Sequence, residues 1–238
     1  MEQFDLIPDY DWRKEEQYLS YKMEHEDYSL EEVVTFVNIG LNKPFYSEIK
    51  KVRCPDSILV LVNKYNQLDS NYSPNDLELI STCFNAGGLL LRHEACFAFE
   101  VMCWAAKMED IHLEAISTFR SYSYQNTVYM KNITPEVSLE EYQKIRDKVS
   151  ARPGHSEHQT GLAVDINDLE ESFEDTKEGK WLAENSYRYG FILRYPKGKE
   201  AITGYSYEPW HFRYLGRGIA TAVYHSGLTY DEYYTRYL

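Results

Sequence analysis

Apolar and polar residues repeat at helical spacing along much of the chain, and this pattern predicts eight helices. Three of them begin with Ser29, Ser138 and Thr229, each followed three residues later by Glu, the arrangement of a capping box. The segment near 88–108 is apolar around much of its circumference, which indicates a buried helix. The predicted helices cover 11–24, a segment beginning at 29, 88–108, 122–131, 138–149, 180–189, 216–225 and 229–237.

Shorter apolar runs with alternating or β-branched residues predict strands between these helices. Apolar and polar residues alternate in the run 111–119, and Arg120 follows directly after it. The run 161–166 is almost wholly apolar and is expected to be buried. Helices gathered around a small antiparallel sheet fit this order better than a parallel sheet, so the expected fold class is α+β. The predicted strands cover 58–63, 111–119, 161–166, 191–195 and 208–214.

Composition fits a globular protein and excludes some classes of partner. The 238 residues are 43% hydrophobic and 15% aromatic, with 22 Tyr, which is too rich in core-forming residues for a disordered chain. The formal net charge of −13 argues against nucleic acid and anionic membrane surfaces as partners. Binding of an anionic substrate must then depend on local cations such as Arg120.

The four cysteines are Cys54, Cys83, Cys96 and Cys103, and no two of them form a Cys-x-x-Cys pair. A structural zinc cluster built from cysteines is therefore not expected. Cys96 and Cys103 share one helix face, which suits burial as small apolar groups. Free thiols are favoured, with one disulfide as the alternative.

The first ten residues contain three acidic residues and neither Lys nor Arg, the reverse of a secretory leader. No run of eighteen apolar residues is present, so no membrane-spanning segment is predicted. The expected location is the cytoplasm if the chain is complete. If a leader or anchor was removed, the expected location is the cell surface or the extracellular space.

Two short runs carry the candidate chemistry of the chain. The first extends from Ser156 to Asp165 and includes His158, and the second is Glu208-Pro209-Trp210-His211. Two imidazoles and two carboxylates are the usual equipment of a hydrolytic zinc site, in which three protein ligands leave one position for water. His158, Asp165 and His211 are the candidate ligands, and Glu208 is the candidate base that moves the proton of the water.

Local geometry is compatible with this assignment. Gly161 lets the backbone turn before the buried strand, so His158 and Asp165 can reach one point. Proline favours an extended residue before it and belongs at a strand start, which places Glu208 at the entrance of the second strand. Taken singly, the pair His158 and Asp165 could be a structural hydrogen bond and Glu208 a surface carboxylate.

The remaining histidines lack a comparable pattern. His155 lies three residues before His158 and is interpreted as a loop residue or a neighbour of the ligands rather than a ligand. The others have no partner motif and are expected to be structural or surface residues: His25, His93, His112 and His225.

The two runs together resemble the D-alanyl-D-alanine carboxypeptidases of the VanY type, whose pattern is Ser-x-His-x-x-Gly-x-Ala-x-Asp followed by Glu-x-Trp-His. The resemblance covers roughly residues 59–238, and no position of the core pattern is missing. Similar families include the VanX dipeptidases, the bifunctional VanXY enzymes, the L,D-carboxypeptidases of peptidoglycan and the hedgehog domain. The resemblance implies a hedgehog-like fold with a small antiparallel sheet surrounded by helices.

The resemblance also implies roles for individual residues. It implies zinc ligation by His158, Asp165 and His211, with Glu208 as the group that activates water. It implies that Arg120 stabilises the developing oxyanion, a role suited to a guanidinium because this group is always charged and offers a fork of donors. The same resemblance implies contacts with the peptide substrate for Arg120 and for two further residues, Ser156 and Gln125.

The implied activity is the zinc-dependent removal of C-terminal D-alanine from peptidoglycan stem peptides or their precursors, a D,D-carboxypeptidase. Cleavage of an L-Lys–D-Ala bond and hydrolysis of free D-Ala-D-Ala are the alternatives, and the motif residues do not separate them. A non-catalytic module that binds peptidoglycan is a further alternative, since the hedgehog domain keeps this zinc constellation in a protein that works by binding. A purely structural zinc site would need a fourth protein ligand.

Charge and pattern divide the chain into two predicted sections. Residues 1–57 are acidic and helical and are interpreted as an N-terminal appendage, because the segment is short for an independent core. Residues 58–238 are interpreted as the zinc D,D-carboxypeptidase domain. A separate binding module in residues 1–57 is the alternative.

Overall fold

The computed structural model describes residues 4–238, which form helices around small sheets. The helices are α1 Glu15–Glu24, α2 Leu30–Ile39, α3 His93–Met108, α4 Tyr122–Met130, α5 Leu139–Arg146, α6 Lys177–Asn185, α7 Glu200–Thr203, α8 Arg217–Ser226 and α9 Tyr230–Tyr237. The strands are β1 Lys50–Lys51, β2 Asn66–Gln67, β3 Leu77–Leu79, β4 Leu90–Arg92, β5 Ala115–Ser117, β6 Ala163–Ile166, β7 Phe191–Leu193 and β8 His211–Tyr214.

The central sheet has four strands in the order β5-β6-β8-β7, and each neighbouring pair is antiparallel. Every residue of β6 and β8 is buried. The apolar side of the sheet packs on α3, whose Phe99 and Met102 are fully buried in the same core as Val164 and Phe212. The predicted α+β class with a small antiparallel sheet is therefore confirmed, and β6 and β8 are the two central strands of this sheet.

The three helix starts predicted from capping boxes agree closely with the structure. The capping boxes predicted at Ser29, Ser138 and Thr229 are all present, because each side chain accepts a hydrogen bond from the backbone N–H three residues later and the Glu at that position bonds back. The helix predicted over 180–189 begins earlier, at Lys177, and continues as a 3-10 helix to Tyr189. Gly190 ends it in a left-handed conformation.

The strand predicted over 58–63 is wrong. Residues 60–63 are buried and 58–59 are half-buried, but the segment pairs with no strand, because side chains bind its backbone carbonyls instead. Arg213 Nη2 donates to the carbonyls of Ile58 and Val60 at 2.9 and 2.8 Å, and Tyr230 Oη donates to Leu59 O at 2.6 Å. Apolar periodicity cannot distinguish such a segment from a sheet strand.

The helix predicted over 88–108 begins five residues later than expected. Gly87 and Gly88 have positive φ, and the chain then forms β4, which pairs antiparallel with β3 before α3 starts at His93. The strand predicted over 111–119 is also shorter, since only β5 is paired. Arg120 nevertheless follows β5 closely, as predicted.

The N-terminal section packs on the rest of the chain through its own apolar cluster. Tyr18, Val33 and Phe36 are buried in this cluster together with Tyr65 from the following section. Arg236 of α9 donates to Glu31 Oε1 at 2.7 Å and thereby ties α2 to the last helix. The division at residue 57 into an appendage and a catalytic domain stays a prediction.

In residues 4–238, no helix is both long enough and apolar enough to cross a membrane. All four cysteines are free thiols, with Cys96 and Cys103 buried and Cys54 and Cys83 exposed.

Candidate metal and active site

Strand register brings the first candidate residues side by side. In the pairing of β6 with β8, Asp165 lies opposite His211, and in the pairing of β5 with β6, Ser117 lies opposite Asp165. Opposed residues in an antiparallel pair have their side chains close together on one face of the sheet. Three adjacent strands therefore place these three side chains in one row.

His158 reaches the same point from the 3-10 helix that precedes β6. Gly161 ends this helix with φ +67°, and a Cβ there would lie 2.9 Å from a side-chain carbon of Leu77, so both conformation and space favour glycine. The His158 Nδ1–H donates to the carbonyl of Thr118 at 2.7 Å. This hydrogen bond leaves the lone pair on Nε2, which lies 3.2 Å from Asp165 Oδ2.

The three predicted ligands converge as a buried group. One donor atom from each of His158, Asp165 and His211 lies within 4.8 Å of the others. His211 Nδ1 lies 2.9 Å from Asp165 Oδ1. Ligand atoms around a tetrahedral zinc ion, at about 2.0 Å from the metal, are about 3.3 Å apart. The donor types and their spacing fit a divalent cation such as zinc.

Charges in this group shift each other's protonation. Burial would raise the pKa of Asp165, but His158 and His211 hold it well below its usual range. Burial and the charge of Arg120 lower the pKa of His158 to about 4. Burial opposes protonation of His211, but its hydrogen bond with Asp165 and the nearby Glu157 carboxylate raise its pKa to about 9. His158 is therefore ready to act as a neutral ligand, whereas His211 must release a proton when a cation binds.

Glu208 lies beside this group, three residues before β8, in agreement with its predicted place at the strand entrance. Its Oε2 lies 3.8 Å from His211 Nδ1, and its side chain is 12% exposed. Burial raises the pKa of Glu208 to about 7, against a smaller lowering effect of His211. A carboxylate whose pKa is near neutrality can both accept and return a proton.

Arg120 borders the group on the side of β5. Its Nη2 donates to Asp165 Oδ2 at 2.8 Å, and its Nε donates to Ser117 Oγ at 2.9 Å. Its Nη1 donates to Gln125 Oε1 at 3.3 Å. The guanidinium is thus fixed in direction, next to the candidate ligands.

The same residues line a cavity of about 380 Å³, together with Ser156 and Gln125. Gln125 Nε2 donates to Ala151 O at 2.8 Å, so its amide links Arg120 to the opposite wall. Ser156 Oγ accepts a hydrogen bond from the backbone N–H of His158 at 3.3 Å. All predicted site residues therefore meet in one place, and their chemical roles stay predictions.

An aromatic wall on one side of the cavity connects it with the N-terminal section. Tyr195 lies against His211 and against Tyr205, with ring centroids 5.0 and 4.7 Å apart. Behind Tyr205, the buried Lys64 Nζ lies 4.0 Å from its ring centroid and 4.8 Å from that of Tyr46. The sequence patterns did not indicate that Tyr46 packs behind this wall.

Two further residues at or beside the cavity were not predicted from the sequence. Arg146 of α5 lines the cavity, and Glu157 is buried directly behind His211 in an ionic cluster. The position of Glu157 inside the first motif was a signal for it, and Arg213 within the apolar strand β8 was another, because an arginine is rarely buried without a partner.

A protein-family comparison identifies the chain. The family model described as D-alanyl-D-alanine carboxypeptidase, VanY, matches residues 88–217. The chain belongs to the VanY D-alanyl-D-alanine carboxypeptidase family. The match contains every predicted site residue, from Arg120 to His211.

Relatives of this VanY-family chain are similar to it in sequence or structure over most of its length. YodJ of Bacillus subtilis (strain 168), which is named as a carboxypeptidase, is 42% identical over 213 residues, which are 83% of this chain and 76% of YodJ. The solved structure of the LdcB LD-carboxypeptidase is 41% identical with a TM-score of 0.72, and covers 80% of this chain and 91% of LdcB. 

A second solved structure is a variant of the vancomycin-resistance D,D-pentapeptidase VanY from a VanB-type cassette, in complex with Zn(II). It is 35% identical with a TM-score of 0.64 and covers 74% of this chain and 98% of that chain. Membership of the family makes this chain a carboxypeptidase-type peptidase, and the predicted family is confirmed.

Proposed function

We propose that this chain is a zinc-dependent D,D-carboxypeptidase that removes C-terminal D-alanine from peptidoglycan stem peptides or their precursors. The observation that carries the proposal is the convergence of His158, Asp165 and His211 in one cavity with Glu208 and Arg120. Binding alone needs no proton acceptor beside the ligands, so Glu208 favours hydrolysis over a non-catalytic binding module.

The proposed mechanism divides the work between these side chains. Zinc held by His158, Asp165 and His211 would lower the pKa of a water and polarise the scissile carbonyl. Glu208 accepts the proton of the attacking water and then passes it to the leaving amine. Arg120 donates hydrogen bonds to the carbonyl oxygen as it becomes negative. The buried surroundings strengthen each of these interactions.

L,D-carboxypeptidase activity is the second candidate. It is favoured by the similarity to the LdcB LD-carboxypeptidase, which exceeds the similarity to the D,D-pentapeptidase VanY in both identity and TM-score. The two reactions differ in the stereocentre before the scissile bond, so the same ligands and base serve either of them.

Defined peptides separate the candidates. The zinc-loaded protein is incubated with a pentapeptide that ends in D-Ala-D-Ala, a tetrapeptide that ends in L-Lys–D-Ala, and free D-Ala-D-Ala, and released D-alanine is measured. We expect release from the pentapeptide and loss of release after chelation of zinc. Preference for the tetrapeptide or the dipeptide would establish one of the alternatives, and zinc binding without any release would indicate a binding module.

Arg146 provides a testable point of substrate recognition. Its described hydrogen-bond acceptors are the carbonyls of Val128 and Tyr129, at 2.9 and 3.2 Å, and no carboxylate in residues 4–238 forms a salt bridge with it. Its positive charge therefore remains available to the C-terminal carboxylate of a peptide in the cavity. Hydrogen bonds to charged groups contribute about 1.5–3 kcal/mol, so Arg146→Gln is expected to raise KM roughly 10- to 100-fold with a smaller change in kcat.

The control for Arg146 is Lys144→Gln, which removes a positive charge from the same helix outside the lining of this cavity. It is expected to leave KM unchanged. A peptide with an amidated C-terminus should bind the native protein and the Arg146 variant equally weakly. A variant that still distinguishes free from amidated peptides would reject this role.

A further inference from the structure

A buried ionic cluster lies directly behind His211. Arg194 Nε and Arg213 Nη1 both donate to Glu157 Oε1, at 2.8 and 2.9 Å. Arg194 Nη1 also donates to Asp231 Oδ2 of α9, at 2.7 Å. All four residues are at most 1% exposed, and their formal charges cancel. Buried charges persist only when they are paired in this way.

One oxygen of Glu157 takes no part in these bonds. Oε2 is buried without a hydrogen-bond partner in the described chain, and His211 Nε2 is a second buried atom of this kind. The two atoms lie 3.7 Å apart, which is longer than a hydrogen bond, so a small shift of either side chain would be needed to form one. An imidazole N–H is a donor and a carboxylate oxygen is an acceptor, so each atom supplies what the other lacks.

We propose that Glu157 is a positioning residue, which accepts the Nε2–H of His211 and thereby keeps the lone pair of His211 on Nδ1, facing Asp165. A neutral imidazole carries one N–H, so this choice decides whether Nδ1 can bind a cation. The inference rests on the proposed function, because it concerns the same zinc ligands. It adds the contact through which Glu157 keeps His211 Nδ1 able to bind the metal.

The alternative tautomer would close the site. With the proton on Nδ1, His211 would donate to Asp165 Oδ1 at the observed distance of 2.9 Å, and two of the three ligands would bind each other. A carboxylate at Nε2 opposes this state, since it can only accept a hydrogen bond. When His211 releases one proton to let a cation bind, Glu157 therefore favours loss of the proton from Nδ1 over loss from Nε2.

The two arginines keep Glu157 suited to this task. Arg194 and Arg213 both donate to its Oε1, and two buried guanidinium groups pair with the carboxylate in its charged form. The carboxylate is therefore ionised and acts only as an acceptor. Asp231 binds Arg194 on the side away from Glu157 Oε1, through Nη1, and also accepts from Asn63 Nδ2 at 2.7 Å.

The variant that tests the inference is Glu157→Gln. The glutamine oxygen would be drawn to the two guanidinium groups, which would turn its NH2 donor towards His211 Nε2 and favour the self-paired tautomer. Zinc affinity, measured by competition with a chelator, is expected to fall about 10- to 100-fold, the range typical of lost outer contacts to a metal-ligating histidine. The matched control is Asp231→Asn, which disturbs the same buried cluster without a contact to His211 and should keep zinc affinity.

The full-length native protein gives a second readout that needs no variant. In the zinc-loaded state, ¹⁵N NMR of His211 should show a metal-bound Nδ1 and a protonated, hydrogen-bonded Nε2. Zinc on Nε2, or equal zinc affinity for Glu157→Gln and Asp231→Asn, would overturn the positioning role and leave the proposed function intact. A native protein that binds no zinc at all would overturn both.

Discussion

Glu208→Gln is expected to lose nearly all turnover, about 10²- to 10⁴-fold, while the protein still binds zinc. The amide has the size of the carboxylate but cannot accept the proton of the attacking water. The side chain lies next to the three candidate ligands without belonging to them, so its replacement leaves the ligand set complete. The measurement is kcat for release of D-alanine, together with the zinc content of the purified variant.

The matched control is Glu184→Gln, which neutralises an exposed carboxylate of α6 outside the cavity. It should retain native turnover. Native turnover in Glu208→Gln would mean that another group accepts the proton. Loss of zinc from that variant would instead place Glu208 among the ligands.

Arg120→Gln is expected to lower kcat by about a hundredfold or more with a smaller change in KM, because one donor to a developing oxyanion contributes on this scale. The guanidinium is held in place by Ser117, Gln125 and Asp165, so it is preorganised before substrate binds. Zinc content should be retained, since all three candidate ligands remain.

Arg120→Lys provides the companion measurement. The ammonium keeps the charge but lacks the planar fork of donors, so it should recover only part of the lost turnover. Near-normal kcat in Arg120→Gln would rule out the oxyanion role. Zinc loss in that variant would show that the contact with Asp165 Oδ2 matters for holding the metal.

The positions of the candidate ligands and of Glu208 were largely predictable because these residues lie within two short runs, each with strong local signals. Gly161 marked the turn before β6, and Pro209 marked the start of the approach to β8. The antiparallel register places Asp165 opposite His211. No local sequence signal predicts this pairing, although it is compatible with the expected antiparallel sheet. The three helix starts with capping boxes were predicted equally well, since a capping box is a local interaction.

Features that depend on distant partners could not be predicted. Arg194 and Arg213 lie 37 and 56 residues after Glu157 in the chain, and only the fold brings them into contact with it. The failure at 58–63 has the same origin, since the carbonyls that a strand would offer to a neighbour are bound by Arg213 and Tyr230. Apolar periodicity indicates that a segment is buried, but it does not indicate which group donates hydrogen bonds to the buried backbone carbonyls.

Tyr46 lies before the border predicted near residue 57, yet it packs behind Tyr205, which lines the candidate site. Its ring lies edge-on to His155 at 5.0 Å, and the Arg152 guanidinium lies 4.1 Å from its centroid, just before the loop that carries the first motif. Its hydroxyl lies 3.3 Å from that of Tyr205. A chimaera that carried residues 1–57 of another family member would therefore also change the side chains that support the candidate site from behind. Its substrate preference could change even though every candidate ligand, Glu208 and Arg120 were kept.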